Sequence, residues 1–334
     1  MNGYGKRISI TAFFVFLSAV VLLLAGNLGS GVILGEPDEY VHAQIAQNLL
    51  KTPFPYYSGS PFFYDLPGLF VIGSFVTRFI NDPLISVRFV SLFSTILLGV
   101  AIYFYLRSKY LTGWAALIGA LLFYFNPLTI FYSQVGLIEP LVSLFLFCFL
   151  VFYDLFLERN QLRYSLISGV FLAAALLTKY TALYFILVVL IIFIYKSLRA
   201  SIKEFAKRST GYLLLDLKTL IPLAIPAATV LPLIVFFYTR FPIEFKMQTY
   251  QVLGVTRMAV FRLFTNLNAE TAGNILWWLP LPLLLGTLFG FFVFLVRFRS
   301  RSLFCLLIFM ISLTLVLSRA PFHPRYFIVL LQFV

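Results

Sequence analysis

Asp38 and Glu39 stand side by side in GEPDEYVHAQIAQNLLK (residues 35–51), with Glu36 just before them and the first long apolar run directly behind. Carboxylates at the edge of an apolar layer are groups that handle protons or hold cations, but a solvated loop carries the same acids for charge alone. Three further stretches narrow the choice. Glu139 lies in QVGLIEPLV, Lys179 in LLTKYTALYF, and His323 and Arg325 in RAPFHPRYF. Ionisable groups at a membrane boundary are costly and are usually paired or functional. Four separate pieces of chain that bring complementary charge to one face therefore favour a reaction at that face. An apolar substrate would reach it sideways through lipid and a polar one from water.

The elements that position these groups follow from composition. Hydrophobic residues make up 61% of the 334 and charged residues 11%, against about 45–50% and about 25% in soluble domains. The chain reads as a polytopic membrane protein, an all-α transmembrane bundle. Cys148 and Cys305 both lie inside apolar runs, which argues against a disulfide framework. The formal charge of +13 does not indicate nucleic acid, because the basic residues sit at the ends of apolar segments rather than on a soluble face. The first apolar segment, after Lys6 and Arg7, outruns a signal-peptide core of about 7–15 residues and reads as an uncleaved anchor.

Roughly 17–25 apolar residues cross a bilayer as a helix. Spans are expected near 8–30, 84–106, 112–130, 137–157, 164–178, 181–196, 219–238, 275–296 and 302–318, with another starting near 326. The last residues, RYFIVLLQFV, have no polar closure, so a longer protein is expected, with residues 1–334 forming one transmembrane domain. With the N-terminus inside, 15 of the 25 Lys and Arg fall on the inner side, as the positive-inside rule favours. Eight of the 12 acids fall outside. The outer face then carries pairable charge and the inner face a basic anchor, which places the site on the extracytoplasmic side of a plasma membrane, or the luminal side of the endoplasmic reticulum in a eukaryote.

Two outer loops are long, 31–83 and 239–274. In the first, Val41, Ile45 and Leu49 recur at helical spacing, which predicts a short amphipathic helix on the membrane surface, with Asp38 near its start. His42, one turn on from Asp38, reads as a surface histidine, with a place in the cavity as the alternative. A second short apolar stretch, 66–80, predicts another interfacial helix. Between them FPYYSGSPFFYD is either an aromatic belt or a wall that packs on a sugar or an isoprenoid chain, with Tyr64 at its end beside Asp65.

The sequence resembles the GT-C glycosyltransferases, which use polyprenyl-phosphate-linked sugars, and among them the protein O-mannosyltransferases and lipid A aminoarabinose transferases. The resemblance rests on the order of PDEYVHAQIAQNLL, YDLPGLF, GLIEPLVSLF, AALLTKYTALYF and HPRYFIVLLQ on alternating spans. It implies an inverting transfer from a polyprenyl-phosphate sugar to an acceptor hydroxyl on protein, lipid or glycan. Asp38, with Glu39 beside it, would be the catalytic carboxylate that takes the hydroxyl proton. Lys179, His323 and Arg325 would neutralise the departing lipid phosphate. Glu139 and Asp65 match acidic positions that in some branches hold a divalent metal, Mg or Mn, and no other cofactor is implied. Where the aminoarabinose branch continues with a lysine and two prolines, this chain has Leu66, Pro67 and Gly68, so that lysine's phosphate role has no counterpart here.

Two other classes stay open on sequence. A lipid or glycan flippase would place polar groups along a path through the bundle, whereas the first six spans hold no ionisable group near the midplane and Asp154 lies close to the inner end. A non-catalytic membrane subunit that assembles or holds lipid would tolerate loss of Asp38.

Overall fold

Helix α1 (Gly3–Ala25) runs antiparallel to α4 (Pro83–Lys109), with α2 (Pro37–Asn48) and α3 (Gly68–Ile80) between them in sequence. In this computed structural model, residues 3–26, 28–29, 37–109, 113–183, 185–187, 189–190, 192–194, 197 and 217–250 are described. The bundle continues through α5 (Gly113–Tyr124), α6 (Pro127–Gln134), α7 (Glu139–Arg159) and α8 (Leu162–Leu176) to a helix at Ile221–Arg240. Among the described residues three helices, Pro83–Ser108, Glu139–Arg159 and Leu217–Arg240, are long and apolar enough to cross a membrane.

The local stops are written in the sequence. Asn81 takes a left-handed conformation (φ 57°) and closes α3. Asp82 then accepts hydrogen bonds at Oδ1 from the backbone N–H groups of Leu84 (2.8 Å) and Ile85 (3.0 Å), and Pro83 opens α4. This is the N-cap chemistry of a short acid followed by proline. Asn160 (φ 52°) ends α7 in the same left-handed way as Asn81.

The expected span at 112–130 is divided. Helix α5 stops at Tyr124 and α6 restarts at Pro127, since proline has no N–H to donate and holds the residue before it out of helical geometry. The remaining expected spans at 275–296, 302–318 and 326 onward lie outside the described residues, as does most of the 239–274 loop.

Phe13 of α1 stacks on Tyr103 of α4, with centroids 3.9 Å apart. The Tyr124 hydroxyl of α5 donates to the Ile96 carbonyl of α4 at 2.6 Å. Separate from these contacts, the largest apolar core among the described residues joins α2, α3, α4, α7 and α8 through residues such as Ile45, Phe70, Leu141, Phe149 and Leu172.

Helix α2 forms as expected, but its buried face is Glu39, His42, Ala43, Ile45 and Ala46, while Val41 and Leu49 are only half-buried. The helix is therefore clamped on α3 and α4 along a stripe that includes two ionisable side chains. Helix α3 keeps the expected amphipathic form: Leu69, Phe70, Gly73 and Thr77 are buried, and Val71, Phe75 and Phe79 face outward. Between α2 and α3 the aromatic stretch makes a two-residue hairpin. Strands β1 (Tyr56–Tyr57) and β2 (Ser60–Pro61) are joined by Ser58 and Gly59, both at positive φ (50° and 81°). Two left-handed residues in a row match the right-handed twist of paired strands.

Candidate functional site

Glu39 is fully buried and its carboxylate is met from two sides. Arg88 of α4 donates through Nε to Oε1 (2.6 Å) and through Nη2 to Oε2 (3.0 Å). The third guanidinium nitrogen, Nη1, donates to the Leu28 carbonyl at 3.1 Å. Gly136, in the bend between α6 and α7, donates its N–H to Glu39 Oε1 at 2.7 Å. Both carboxylate oxygens are thus engaged inside the protein, an arrangement suited to holding parts together.

One turn along α2, His42 Nδ1 donates to the Gly136 carbonyl at 2.9 Å. A carbonyl only accepts, so Nδ1 carries the hydrogen, and in the neutral ring Nε2 holds the lone pair. His42 is 5% exposed; the surface reading of this residue gives way because its ring is used to grip the bend. Gly136 is therefore bonded to α2 at both its N–H and its carbonyl. A side chain there would collide with Val87 of α4 and press on the Arg88 backbone. The next residue is held too, since the Ser91 hydroxyl donates to the Leu137 carbonyl at 2.8 Å.

This grip sets the start of α7, whose first residue is Glu139. A carboxylate is favoured at a helix N-terminus by the free amides and the dipole. Glu139 Oε1 accepts from Lys179 Nζ at 2.7 Å. Lys179 itself follows α8 in a turn whose backbone N–H bonds to the Ala175 carbonyl at 2.9 Å. Gly68, at the start of α3, donates its N–H to the Leu177 carbonyl at 2.7 Å. A side chain on Gly68 would collide with Thr178, so the α3 start and the α8 end are pressed together.

Asp65 lies three residues before that contact and is half-buried. Burial pushes its carboxyl above the ordinary carboxylate range; Lys179 and then His42 oppose this, and Glu139 and Asp38 add to it. Asp38 and His42 on α2, Asp65 in the loop before α3, Glu139 at the start of α7 and Lys179 in the turn after α8 thus share one end of the bundle. Asp38 is half-buried in the first turn of α2. Tyr64 is exposed, with its ring 5.5 Å from Phe62. His323 and Arg325 lie outside the described residues.

Among the described residues no three His, Cys, Asp or Glu side chains are gathered as a metal-binding group. Glu139 and Asp65 instead share the neighbourhood of the Lys179 ammonium, which occupies the place a cation would take.

Two features of the site escaped the sequence reading. One is Arg88, an arginine five residues into an apolar span, which is itself a signal of a buried partner. Gln248 gave no signal: its Oε1 accepts from the Phe63 N–H (2.6 Å) and its Nε2 donates to the Pro61 carbonyl (2.7 Å). It fastens the segment 242–250 to the aromatic hairpin, beside a cluster of Phe63, Phe237 and Phe245.

The chain has a GT-C-like fold: an apolar helical bundle, two short helices in its first loop, and charged groups gathered at one end. Residues 66–225 match the dolichyl-phosphate-mannose-protein mannosyltransferase family. Among solved structures, the fold is similar to ArnT from Cupriavidus metallidurans bound to undecaprenyl phosphate. That match has a TM-score of 0.69 at 14% identity, over 97% of this chain and 58% of that one. It is also similar to the archaeal oligosaccharyltransferase AglB from Archaeoglobus fulgidus, in complex with an inhibitory peptide and a dolichol-phosphate. There the TM-score is 0.60 at 16% identity, over 99% of this chain and 50% of that one. The chain thus spans a little over half the length of ArnT and half that of AglB. No curated protein matches it in sequence.

Proposed function

We propose that the chain is the membrane-embedded catalytic part of an inverting glycosyltransferase that moves a sugar from a polyprenyl-phosphate donor to an acceptor hydroxyl. The observation that carries this reading is the convergence of Asp38, Asp65, Glu139 and Lys179 at one end of an otherwise apolar bundle. The lipid-phosphate ligands of the similar ArnT and AglB structures support the donor class.

Asp38 is the base. As the acceptor oxygen attacks the anomeric carbon, its proton passes to the Asp38 carboxylate. The bond between that carbon and the phosphate oxygen breaks, and its electron pair leaves with the lipid phosphate. A phosphate departs as a stable anion, so it needs charge neutralisation rather than a proton. Lys179 supplies that charge from a partly dry boundary, where it acts more strongly than in water. His323 and Arg325 are assigned to the same anion by their place in the sequence. Glu39 positions: with both oxygens occupied, it sets the bend that aims Glu139 toward Lys179. A single displacement inverts the anomeric configuration. The reaction is assigned to the extracytoplasmic or luminal face, with the N-terminus in the cytoplasm.

The test is a panel of polyprenyl-phosphate sugars offered to the reconstituted protein with a membrane extract as acceptor source. Consumption of one donor, with the product linkage inverted relative to it, is the expected result. A flippase would instead move a labelled lipid-linked sugar across the vesicle bilayer without cleaving it.

A further inference from the structure

At the end of α7 remote from Glu139, the turn into α8 carries two exposed arginines, Arg159 and Arg163. A helix of this length separates the two ends by about 30 Å at 1.5 Å per residue. Both guanidinium groups donate to one oxygen, the Tyr164 hydroxyl: Arg159 through Nη1 at 2.8 Å and Arg163 through Nη2 at 3.1 Å. Both also lie against the Tyr164 ring, 5.5 and 4.8 Å from its centroid. Arg163 Nε is held by Gln161 Oε1 at 3.0 Å. Among the described residues neither guanidinium is paired with a carboxylate. Two like charges thus gather on one neutral oxygen, an arrangement that an anion placed between them would favour.

The surface beside this cluster says which anion. Leu166, Ile167 and Val170 follow Arg163 at i+3, i+4 and i+7, hence on the same face of α8, and all three are exposed. The opposite face of α8, with Ser165, Gly169 and Leu172, is buried. A charged pair at a helix end, continued by an apolar strip along a membrane helix, has the shape of a phospholipid: phosphate at the top, acyl chain below.

We infer that Arg159, Arg163 and Tyr164 bind the headgroup phosphate of an anionic phospholipid whose acyl chain lies along Leu166, Ile167 and Val170. The two guanidiniums grip the phosphate oxygens, for which their planar forks are suited. Net negative charge is required, because the ammonium of a zwitterionic headgroup would be repelled by the second arginine. The site is independent of the transfer chemistry and lies at the other end of the bundle.

The experiment uses the full chain in nanodiscs holding equal amounts of phosphatidylglycerol and phosphatidylcholine with identical acyl chains. Lipids retained after release are counted by native mass spectrometry. Wild type is expected to retain phosphatidylglycerol preferentially. Arg159→Gln and Arg163→Gln are each expected to lower that preference roughly fivefold, the effect of one basic residue near an anionic surface, and the double variant to abolish it. Both side chains are exposed, so folding is not at stake; an unchanged melting temperature checks this. Arg159→Lys/Arg163→Lys, which keeps the charge but loses the forked geometry, is expected to fall between. Equal retention of the two lipids by wild type overturns the inference, and so does a preference that survives in the double variant.

Discussion

Lys179 Nζ lies 2.7 Å from Glu139 Oε1, where the end of α8 meets the start of α7. The pair joins two sequence positions 40 residues apart and sets a cation at the mouth of the proposed site with a counter-ion already in place. An incoming lipid phosphate would compete with Glu139 for that ammonium. Lys179→Gln is therefore expected to lower turnover by about a hundredfold, the usual cost of losing one group that stabilises developing charge. Glu139→Gln leaves Lys179 less neutralised and is expected to tighten binding of undecaprenyl phosphate, read by microscale thermophoresis in detergent. Tighter binding after loss of a carboxylate would separate electrostatic competition from simple damage to the fold.

The Glu39–Arg88 pair should behave as a buried ion pair. Removing one partner strands the other charge, at a cost of roughly 3–5 kcal/mol. Glu39→Gln and Arg88→Met are each expected to lower the melting temperature sharply. The double variant should be less destabilised than the two single effects added, because neither charge is then left alone. Additive losses in thermal melts would mean that the two side chains act separately.

Asp65 gives a pH signature with a definite sign. Its native carboxyl binds the proton more tightly than in the unfolded chain, because burial disfavours the charged form. Stability from this group is fully present below the unfolded value of about 3.9 and declines as pH rises toward the raised native value. Asp65→Asn should remove that decline: near pH 4 the variant and wild type differ little, and at neutral pH the variant gains relative to wild type. Melting temperatures from pH 4 to 8 read the difference. A variant that loses ground as pH rises would show that the Lys179 contact outweighs burial.

Much of this arrangement was legible in the chain because its causes are local. Asn81, Asp82 and Pro83 announce a stop, a cap and a start, and the structure uses them so. The two helices of the first loop were legible as helices, α2 from apolar spacing and α3 from an apolar stretch too short to span. The buried stripe of α2 was not legible, because Glu39 and His42 are buried only through partners far away in sequence, Arg88 and Gly136, and nothing in the hydrophobic period marks a polar side chain for the interior. The break at Pro127 was visible as a residue but was outweighed by the length of the apolar run around it. Gln248 illustrates a different limit: a glutamine that bonds two backbone groups of a distant loop has no periodic or compositional trace.

The central claim is that the Asp38 carboxylate takes the acceptor's proton. Its most direct test compares wild type with Asp38→Asn for consumption of the polyprenyl-phosphate sugar in reconstituted vesicles, with acceptor present and undecaprenyl-phosphate binding measured in parallel. Loss of consumption by at least about a hundredfold, the lower range for a general base, with lipid-phosphate binding intact, is the expected result. Equal consumption by the two proteins would contradict it and remove Asp38 from the chemistry.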